Sequence, residues 1–181
     1  MRISPLAFIL NPDSFEARQS IHDVCRITHH NDEAYLGALA VLIAIRAAIE
    51  DNLTLESIAS SLPDTSIRER LEQMADLASA VSLAEIGERF GTSGYVVESV
   101  PFALLAAVRS KEHGFVEMMN QVIAAGGDTD TNASMAGQIA GARLGFGRLP
   151  QDWIESLPQS ELIFGIARDF AKLVTSETTH E

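Results

Sequence analysis

Apolar residues recur at intervals of three and four through most of this sequence, and this spacing constrains the fold more than any other feature. Between Asp13 and Ile27 they fall on one side of an amphipathic helix, and from Glu33 to Glu50 they occupy nearly every side of a longer one. A helix that is apolar on every side is typical of the centre of a bundle. No stretch alternates between apolar and polar residues as a strand does. We therefore predict an all-α fold, a compact bundle of about eight to ten helices that forms one domain over residues 1–181.

Local signals divide the chain into individual helices. Asn31 and Ser82 predict helix N-caps, and Ser82 with Glu85 matches the capping box. Pro101 is compatible with a buried helix only in its first turn, and Gly114 is expected to break the pattern. Further helices are predicted over residues 54–60, 66–79, 96–110, 115–125, 150–156 and 161–174.

The sequence Gly-Gly-Asp-Thr-Asp-Thr at residues 126–131, called the acidic turn below, puts four oxygen-bearing side chains at the entrance of one predicted helix. The two glycines predict a tight turn into a helix, and Asp128 is the natural N-cap of that helix. Capping explains one carboxylate but leaves a second, Asp130, and the Thr131 hydroxyl. Hard oxygen ligands at this density suit Mg²⁺, Mn²⁺ or Ca²⁺. The calcium hand motif is excluded because Ile139 stands where its last glutamate belongs.

The helix after the acidic turn carries a stripe of small residues. Ala133, Gly137, Gly141 and Gly145 recur every four residues and therefore share one face. Each glycine inside a helix costs about 1 kcal/mol relative to alanine. Close packing against a neighbouring helix is the simplest compensation, and we expect it along this face.

Two shorter polar segments lie elsewhere in the chain. Residues 28–31, Thr-His-His-Asn, stand between two apolar helices, and residues 92–95, Thr-Ser-Gly-Tyr, precede another helix. The first can be a helix cap on the surface, with His29 and His30 exposed. The second can be an ordinary loop, although its hydroxyls, amides and aromatic ring are a mixture that also binds a sugar or base.

Composition limits the classes of partner. A formal net charge of −12 argues against nucleic acid. Cys25 is the only cysteine, so no internal disulfide can form, and it is expected to be a small core residue. The most apolar run, residues 38–45, is too short to cross a bilayer, and the first residues lack the pattern of a signal peptide. We expect a cytoplasmic protein with neither nucleic acid nor membrane as a partner.

Together the acidic turn and the two polar segments resemble the ADP-ribosylglycohydrolase family. The acidic turn with its glycine-spaced helix is similar to that family's signature, and the similarity continues through residues 145–150 to Trp153. Thr28 and His29 resemble its Thr-His segment, and residues 94–98 resemble its substrate loop. Even residues 1–6 look like a stretch from the middle of family members.

The resemblance implies an all-helical fold with a binuclear Mg²⁺ or Mn²⁺ centre, and hydrolysis of the N- or O-glycosidic bond that joins ADP-ribose to a protein side chain. Carried over by position, the metal ligands are Asp128, Asp130 and Thr131. The residues expected at the ADP-ribose cleft are His29, Gly94, Tyr95 and Thr129, with Thr129 near the site but without a defined role.

The family also has an upstream half, with a Gly-Asp-x-x-Gly segment followed by a glutamate and with a Thr-Asp-Asp segment. Neither pattern occurs in this sequence. The chain therefore resembles the C-terminal portion of the family, a bundle incomplete at its N-terminal side, and the acidic catalytic residue is expected outside it. We expect weak or no hydrolysis by the isolated chain, and activity when another chain or a second copy complements it and covers its exposed core. The alternative is a non-catalytic descendant that binds ADP-ribose or serves as a structural or interaction module.

Overall fold

A computed structural model describes residues 2–77 and 81–177 of the protein. Within these ranges the chain forms nine α-helices and two 3₁₀ helices and no strand, which confirms the all-α prediction. The α-helices are α1 (Phe15–Arg26), α2 (Asp32–Ile49), α3 (Leu55–Ser61), α4 (Ser66–Ala75), α5 (Leu83–Phe90), α6 (Val96–Ala124), α7 (Thr129–Leu144), α8 (Gln151–Ser156) and α9 (Ser160–Glu177). The 3₁₀ helices are Ser4–Phe8 and Phe146–Arg148.

Helix α2 lies at the centre of the bundle, as its apolar sequence predicts. Asn31 caps it, and the Asn31 Oδ1 accepts a hydrogen bond from the Ala34 amide at 2.7 Å. Leu39 and Leu42 are fully buried, and α2 packs against α1, α6 and α7. Burying one leucine side chain contributes about 1.5–3 kcal/mol. Packing therefore stabilises α2 far more than its cap does.

The predicted capping box at the start of α5 is confirmed. The Ser82 Oγ accepts a hydrogen bond from the Glu85 amide at 3.2 Å, and the Glu85 carboxylate accepts one from the Ser82 amide at 2.9 Å. The preceding helix, predicted over residues 66–79, ends at Ala75, and residues 78–80 lie outside the described part of the chain.

Helix α6 breaks at Gly114 as predicted, but Pro101 lies deeper in the helix than predicted. Gly114 has φ 81° and ψ 171°, so it interrupts the helix as predicted. Pro101 is buried in the second turn, and the expectation that it lies in the first turn is wrong. A proline inside a helix loses an amide hydrogen bond. Burial of its neighbours Val100 and Phe102 compensates and carries the helix through this position.

Helix α7 follows the predicted packing of its glycine stripe at one end only: a Cβ on Gly137 would lie 3.7 Å from the Phe115 ring and 3.9 Å from the Met119 Sδ, both in α6. The buried residues of α7 include Met135, Ala136 and Ile139, which pack chiefly towards α6. Among the described residues, none comes within 4 Å of a Cβ built on Gly141 or Gly145, so the predicted close approach along the glycine stripe is wrong there. The larger apolar side chains decide which face is buried, because they remove more apolar area from water.

Asp51 connects three helices from the end of α2. Its carboxylate lies 3.2 Å from the Nζ of Lys111 in α6 and 3.3 Å from the Nε of Arg143 in α7. Hydrogen bonding and charge from Lys111, followed by hydrogen bonding from Arg143, hold the pKa of Asp51 below its ordinary value. The backbone of Asp51 is left-handed, with φ 55°, a conformation that asparagine also tolerates.

We therefore expect Asp51→Asn to weaken the dependence of the melting temperature on pH in the acid range. A lowered carboxyl pKa stabilises the fold above about pH 4 and loses that contribution as the pH falls towards the pKa of the folded protein. The melting temperature of the variant should differ from that of the parent near neutral pH and converge with it in acid. Because Asp51 is exposed, added salt should reduce the difference. An equal difference at every pH would contradict the assignment to charge.

The C-terminal helices pack loosely against the rest of the structure. In α9, Leu162, Ile163 and Ile166 are exposed, whereas Phe164 and Phe170 contact the aromatic rings of residues 146 and 8. None of the helices in the described ranges combines the length and the apolar character that spanning a membrane requires.

Candidate functional site

The starts of α2, α6 and α7 meet at a cavity of about 620 Å³. This volume lies in the range of small-molecule sites, roughly 300–1,000 Å³. Its floor is largely apolar, and most of its polar groups stand near the starts of the helices. The apolar lining residues include Ile3, Val24, Ala38, Val41, Val100 and Met135.

The acidic turn enters α7 at one side of this cavity. Gly126 and Gly127 have φ 73° and 74°, as the predicted tight turn requires. Asp128 is the N-cap residue of α7, as predicted. Its side chain accepts no capping hydrogen bond, so the prediction that this side chain caps the helix is wrong. Its backbone amide instead donates to the carbonyl oxygen of Thr92 at 2.8 Å. The Asp128 carboxylate lines the cavity.

The carboxylates of Asp128 and Asp130 form a pair. A hydrogen bond with the Asp128 side chain, and then backbone hydrogen bonds at Thr131 and Asp130, hold the pKa of Asp130 below its ordinary value. Two ionised carboxylates in contact repel each other, and either a shared proton or a bound cation relieves that repulsion. The hydrogen bond between the two carboxyl groups requires one shared proton, and a bound cation would relieve the same repulsion.

These residues fit a divalent cation with a partial protein shell. Asp128, Asp130 and Thr131 supply hard oxygen donors, which Mg²⁺ and Mn²⁺ prefer. No group of three or more histidine, cysteine, aspartate or glutamate side chains in the described residues is arranged to hold a metal. A Mg²⁺ ion commonly uses one or two carboxylates and completes its six ligands with water and substrate oxygens. The donor set agrees with that pattern.

Residues 91–95 overlap the predicted substrate-loop segment at Gly94 and Tyr95, and this stretch before α6, called the substrate loop below, lies directly against the acidic turn. A Cβ built on Gly94 would stand 2.6 Å from the Asp128 Oδ2, so only glycine leaves the carboxylate in place. The Glu98 Oε2 holds the loop from α6 by accepting hydrogen bonds from the Ser93 amide at 3.1 Å and the Ser93 hydroxyl at 2.7 Å. The loop and the first turn of α6 therefore form one unit.

Tyr95 bridges the cavity from the substrate loop to α2. Its hydroxyl donates to the two carboxylate oxygens of Glu33, at 2.9 and 3.0 Å. This hydrogen bond raises the pKa of the Tyr95 phenol, because a phenolate would face a carboxylate. The Tyr95 ring is about half exposed, at 49%, and forms one wall of the opening.

His29 lines the same cavity from the segment before α2. It is exposed, and its Nδ1 lies 2.9 Å from the Thr28 Oγ1, which accepts a hydrogen bond from Arg2 at 3.1 Å. Cys25 also lines the cavity and packs partly against the core. Burial raises the pKa of its thiol, so the reactive thiolate is disfavoured.

The structure brings most of the predicted site residues together. The cavity is lined by His29, Gly94, Tyr95, Asp128 and Thr131. Asp130 reaches this group through its hydrogen bond with Asp128, whereas Thr129 is absent from the lining. The roles of all seven residues in binding remain predictions.

Two residues of the site have no prediction from sequence: Asn132 and Glu33. Asn132 is fully buried in the first turn of α7, and its Nδ2 donates to the Thr92 carbonyl oxygen at 2.9 Å. One signal for it was available. Asn132 shares a helical face with the apolar residues Met135 and Ala136, so it is a polar residue on the buried side. Glu33 offered no such signal, because an acidic residue in the first turn of a helix is common.

The chain matches the sequence model of the ADP-ribosylglycohydrolase family over residues 1–179. It is 26% identical to an uncharacterized protein of Archaeoglobus fulgidus, with 96% of this chain and 57% of the relative covered. It is 26% identical to ADP-ribosylhydrolase ARH3 of Homo sapiens, with 77% of this chain and 50% of the relative covered. ADP-ribosylarginine hydrolase Tri1 of Serratia proteamaculans is 30% identical over 48% of this chain and 23% of the relative.

The chain spans about half the length of the first two relatives. The family match nevertheless extends through every described helix and includes the acidic turn, the substrate loop and the Thr-His segment that meet at the cavity. This chain belongs to the ADP-ribosylglycohydrolase family.

Proposed function

We propose that this chain provides the cation-binding turn and one wall of the ADP-ribose cleft in a hydrolase that removes ADP-ribose from protein side chains. The reaction breaks the bond between C1 of the ribose and a side-chain nitrogen or oxygen. Water supplies the new C1 oxygen, and the leaving side chain takes a proton. The main support is the meeting of three distant segments, at residues 28–31, 92–95 and 126–131, around one cavity of suitable size.

Asp128, Asp130 and Thr131 are the proposed holders of Mg²⁺ or Mn²⁺. When bound, such an ion polarises an oxygen atom and lowers the pKa of attached water. The carboxylate pair and the hydroxyl fix its position at the start of α7. Gly94, without a side chain, leaves room at the Asp128 carboxylate for a ligand to approach.

The other side of the cleft binds and orients the ligand. Tyr95 presents an aromatic face, and its hydrogen bonds to Glu33 limit the rotation of the ring. His29 and Arg2 lie at the cavity and carry donors suited to phosphate oxygens. Thr129 stands next to the turn without an assigned role. The apolar floor reduces the amount of water around the bound ligand.

We further propose that a complementing polypeptide or a second copy supplies the remaining metal ligands and the acidic group near the cleaved bond. Three protein oxygens leave about half of an octahedral shell unfilled. The relatives, at about twice this length, contain additional chain that can contribute such groups. A binuclear centre also needs these extra ligands.

The test mixes purified chain, Mg²⁺ and a protein that carries ADP-ribose on arginine or through an ester, and measures released ADP-ribose. We expect slow or undetectable release by the isolated chain and measurable ADP-ribose binding by calorimetry. Robust turnover by the isolated chain would refute the need for a complementing partner. Absence of binding would refute the proposed cleft. Tight binding that never leads to hydrolysis, whatever partner is added, would instead favour a non-catalytic ADP-ribose-binding module.

A further inference from the structure

The carbonyl oxygen of Thr92 is the junction between the substrate loop and the acidic turn. It accepts two hydrogen bonds, from the Asp128 amide at 2.8 Å and from the Asn132 Nδ2 at 2.9 Å. Thr92 is buried, and Gly127 packs so closely against it that a Cβ there would collide with the Thr92 backbone and hydroxyl. The two segments are therefore in direct contact.

Asn132 provides the side-chain half of this junction. It is 0% exposed, and its Oδ1 has no hydrogen-bond partner among the described residues. Reversing the amide would place its oxygen against the Thr92 carbonyl, so the observed hydrogen bond fixes its orientation. Leaving the Asn132 Oδ1 buried and unpaired is unfavourable. The hydrogen bond from the Asn132 Nδ2 to the Thr92 carbonyl oxygen is therefore the interaction that offsets this cost.

A displacement of Thr92 would move both the substrate loop and the acidic turn. In the loop, Gly94 follows two residues later and touches the Asp128 carboxylate, and Tyr95 forms a wall of the cavity. In the turn, the Asp128 amide that bonds to Thr92 belongs to the residue whose carboxylate faces the cavity. A shift of either segment is therefore transmitted through one backbone carbonyl.

We propose that Asn132 is a positioning residue that couples cation binding at the acidic turn to ligand binding at the substrate loop. The inference rests on the proposed function and adds a regulatory link between its two halves. Ordering the turn around an ion orders the Thr92 carbonyl, and the ordered loop then binds ADP-ribose at a lower entropic cost. By reciprocity, bound ADP-ribose strengthens cation binding by the same factor.

Calorimetry of the full chain measures this link. ADP-ribose is titrated once with saturating Mg²⁺ and once with EDTA, and the ratio of the two dissociation constants is the coupling factor. We expect a factor of about five or more in the parent chain and a clearly smaller factor in Asn132→Ala and Asn132→Leu, which lose the side-chain bond but keep the Asp128 amide bond to Thr92. A purely structural role would weaken both titrations equally and leave the ratio unchanged. Leucine keeps the buried volume if alanine proves too destabilising, and thermal melting checks that each variant is folded.

Glu98→Gln is the matched control. It weakens the attachment of the same loop to α6 through Ser93 but keeps the Asn132 contact with Thr92. We expect it to change both dissociation constants in proportion. An unchanged ratio in the Asn132 variants, an equal loss of coupling in Glu98→Gln, or a parent ratio near one would each overturn the inference while ADP-ribose binding stands. A parent chain that binds no ADP-ribose under either condition would overturn the proposed function as well.

Discussion

Gly127→Ala is expected to lower the melting temperature by about 4–20 °C, a large effect for a change of one methyl group. A non-glycine residue at φ 74° costs about 1–2 kcal/mol. The added Cβ also collides with the backbone of Thr92, which cannot rotate away as a side chain could, and overpacking adds about 1–3 kcal/mol. For a chain of this size, 1 kcal/mol corresponds to about 2–4 °C.

Gly126→Ala separates the two causes. Gly126 has φ 73°, almost the same backbone strain, but no described residue comes within 4 Å of a Cβ built there. We expect this variant to lose only about 1–2 kcal/mol. Thermal unfolding followed by circular dichroism compares the two proteins directly. Equal melting temperatures would show that the close contact with Thr92 does not exist in solution.

Asp128→Asn and Asp130→Asn are each expected to weaken Mg²⁺ binding about tenfold or more. Asparagine keeps the shape of the side chain and removes its charge, so the change isolates the attraction between carboxylate and cation. Neutralising one carboxylate also ends the repulsion within the pair, so a cation gains less by binding between the two side chains. Calorimetric titration with Mg²⁺ at low ionic strength measures the loss, and added salt should weaken binding by the parent chain.

Two controls accompany this titration. Tyr95→Phe removes the hydroxyl that bonds to Glu33 and should leave Mg²⁺ affinity within about twofold, because it changes no charge. Asp152→Asn removes an exposed carboxylate of α8 that does not line the cavity, and it should also have little effect. If the aspartate variants of the acidic turn behave like these controls, the assignment of the metal ligands is wrong.

Several local elements were predictable because their causes lie within a few residues. Asn31 bonds to the amide of Ala34, and Ser82 exchanges hydrogen bonds with Glu85, each three residues away. Gly114 breaks α6 because its own backbone takes a positive φ. The family, too, could be identified from short patterns, above all the acidic turn, which the match over residues 1–179 confirms.

Other features depended on neighbours that the sequence does not reveal. The glycine stripe of α7 predicted a close contact, which exists at Gly137 against α6, whereas at Gly141 and Gly145 the bundle leaves space. Pro101 was expected in a first turn, but burial of the surrounding helix permits it in the second.

The sequence by itself determined the helical class, most helix ends and the presence of an acidic turn, since these follow from periodicity and from contacts between near neighbours. Only the tertiary structure decided how that turn is used. The Thr92 carbonyl meets an amide 36 residues away and a side chain 40 residues away, and such a pairing depends on how α6 and α7 pack. Packing also made Asn132 a buried partner of the loop and released Asp128 from capping, so that its carboxylate faces the cavity.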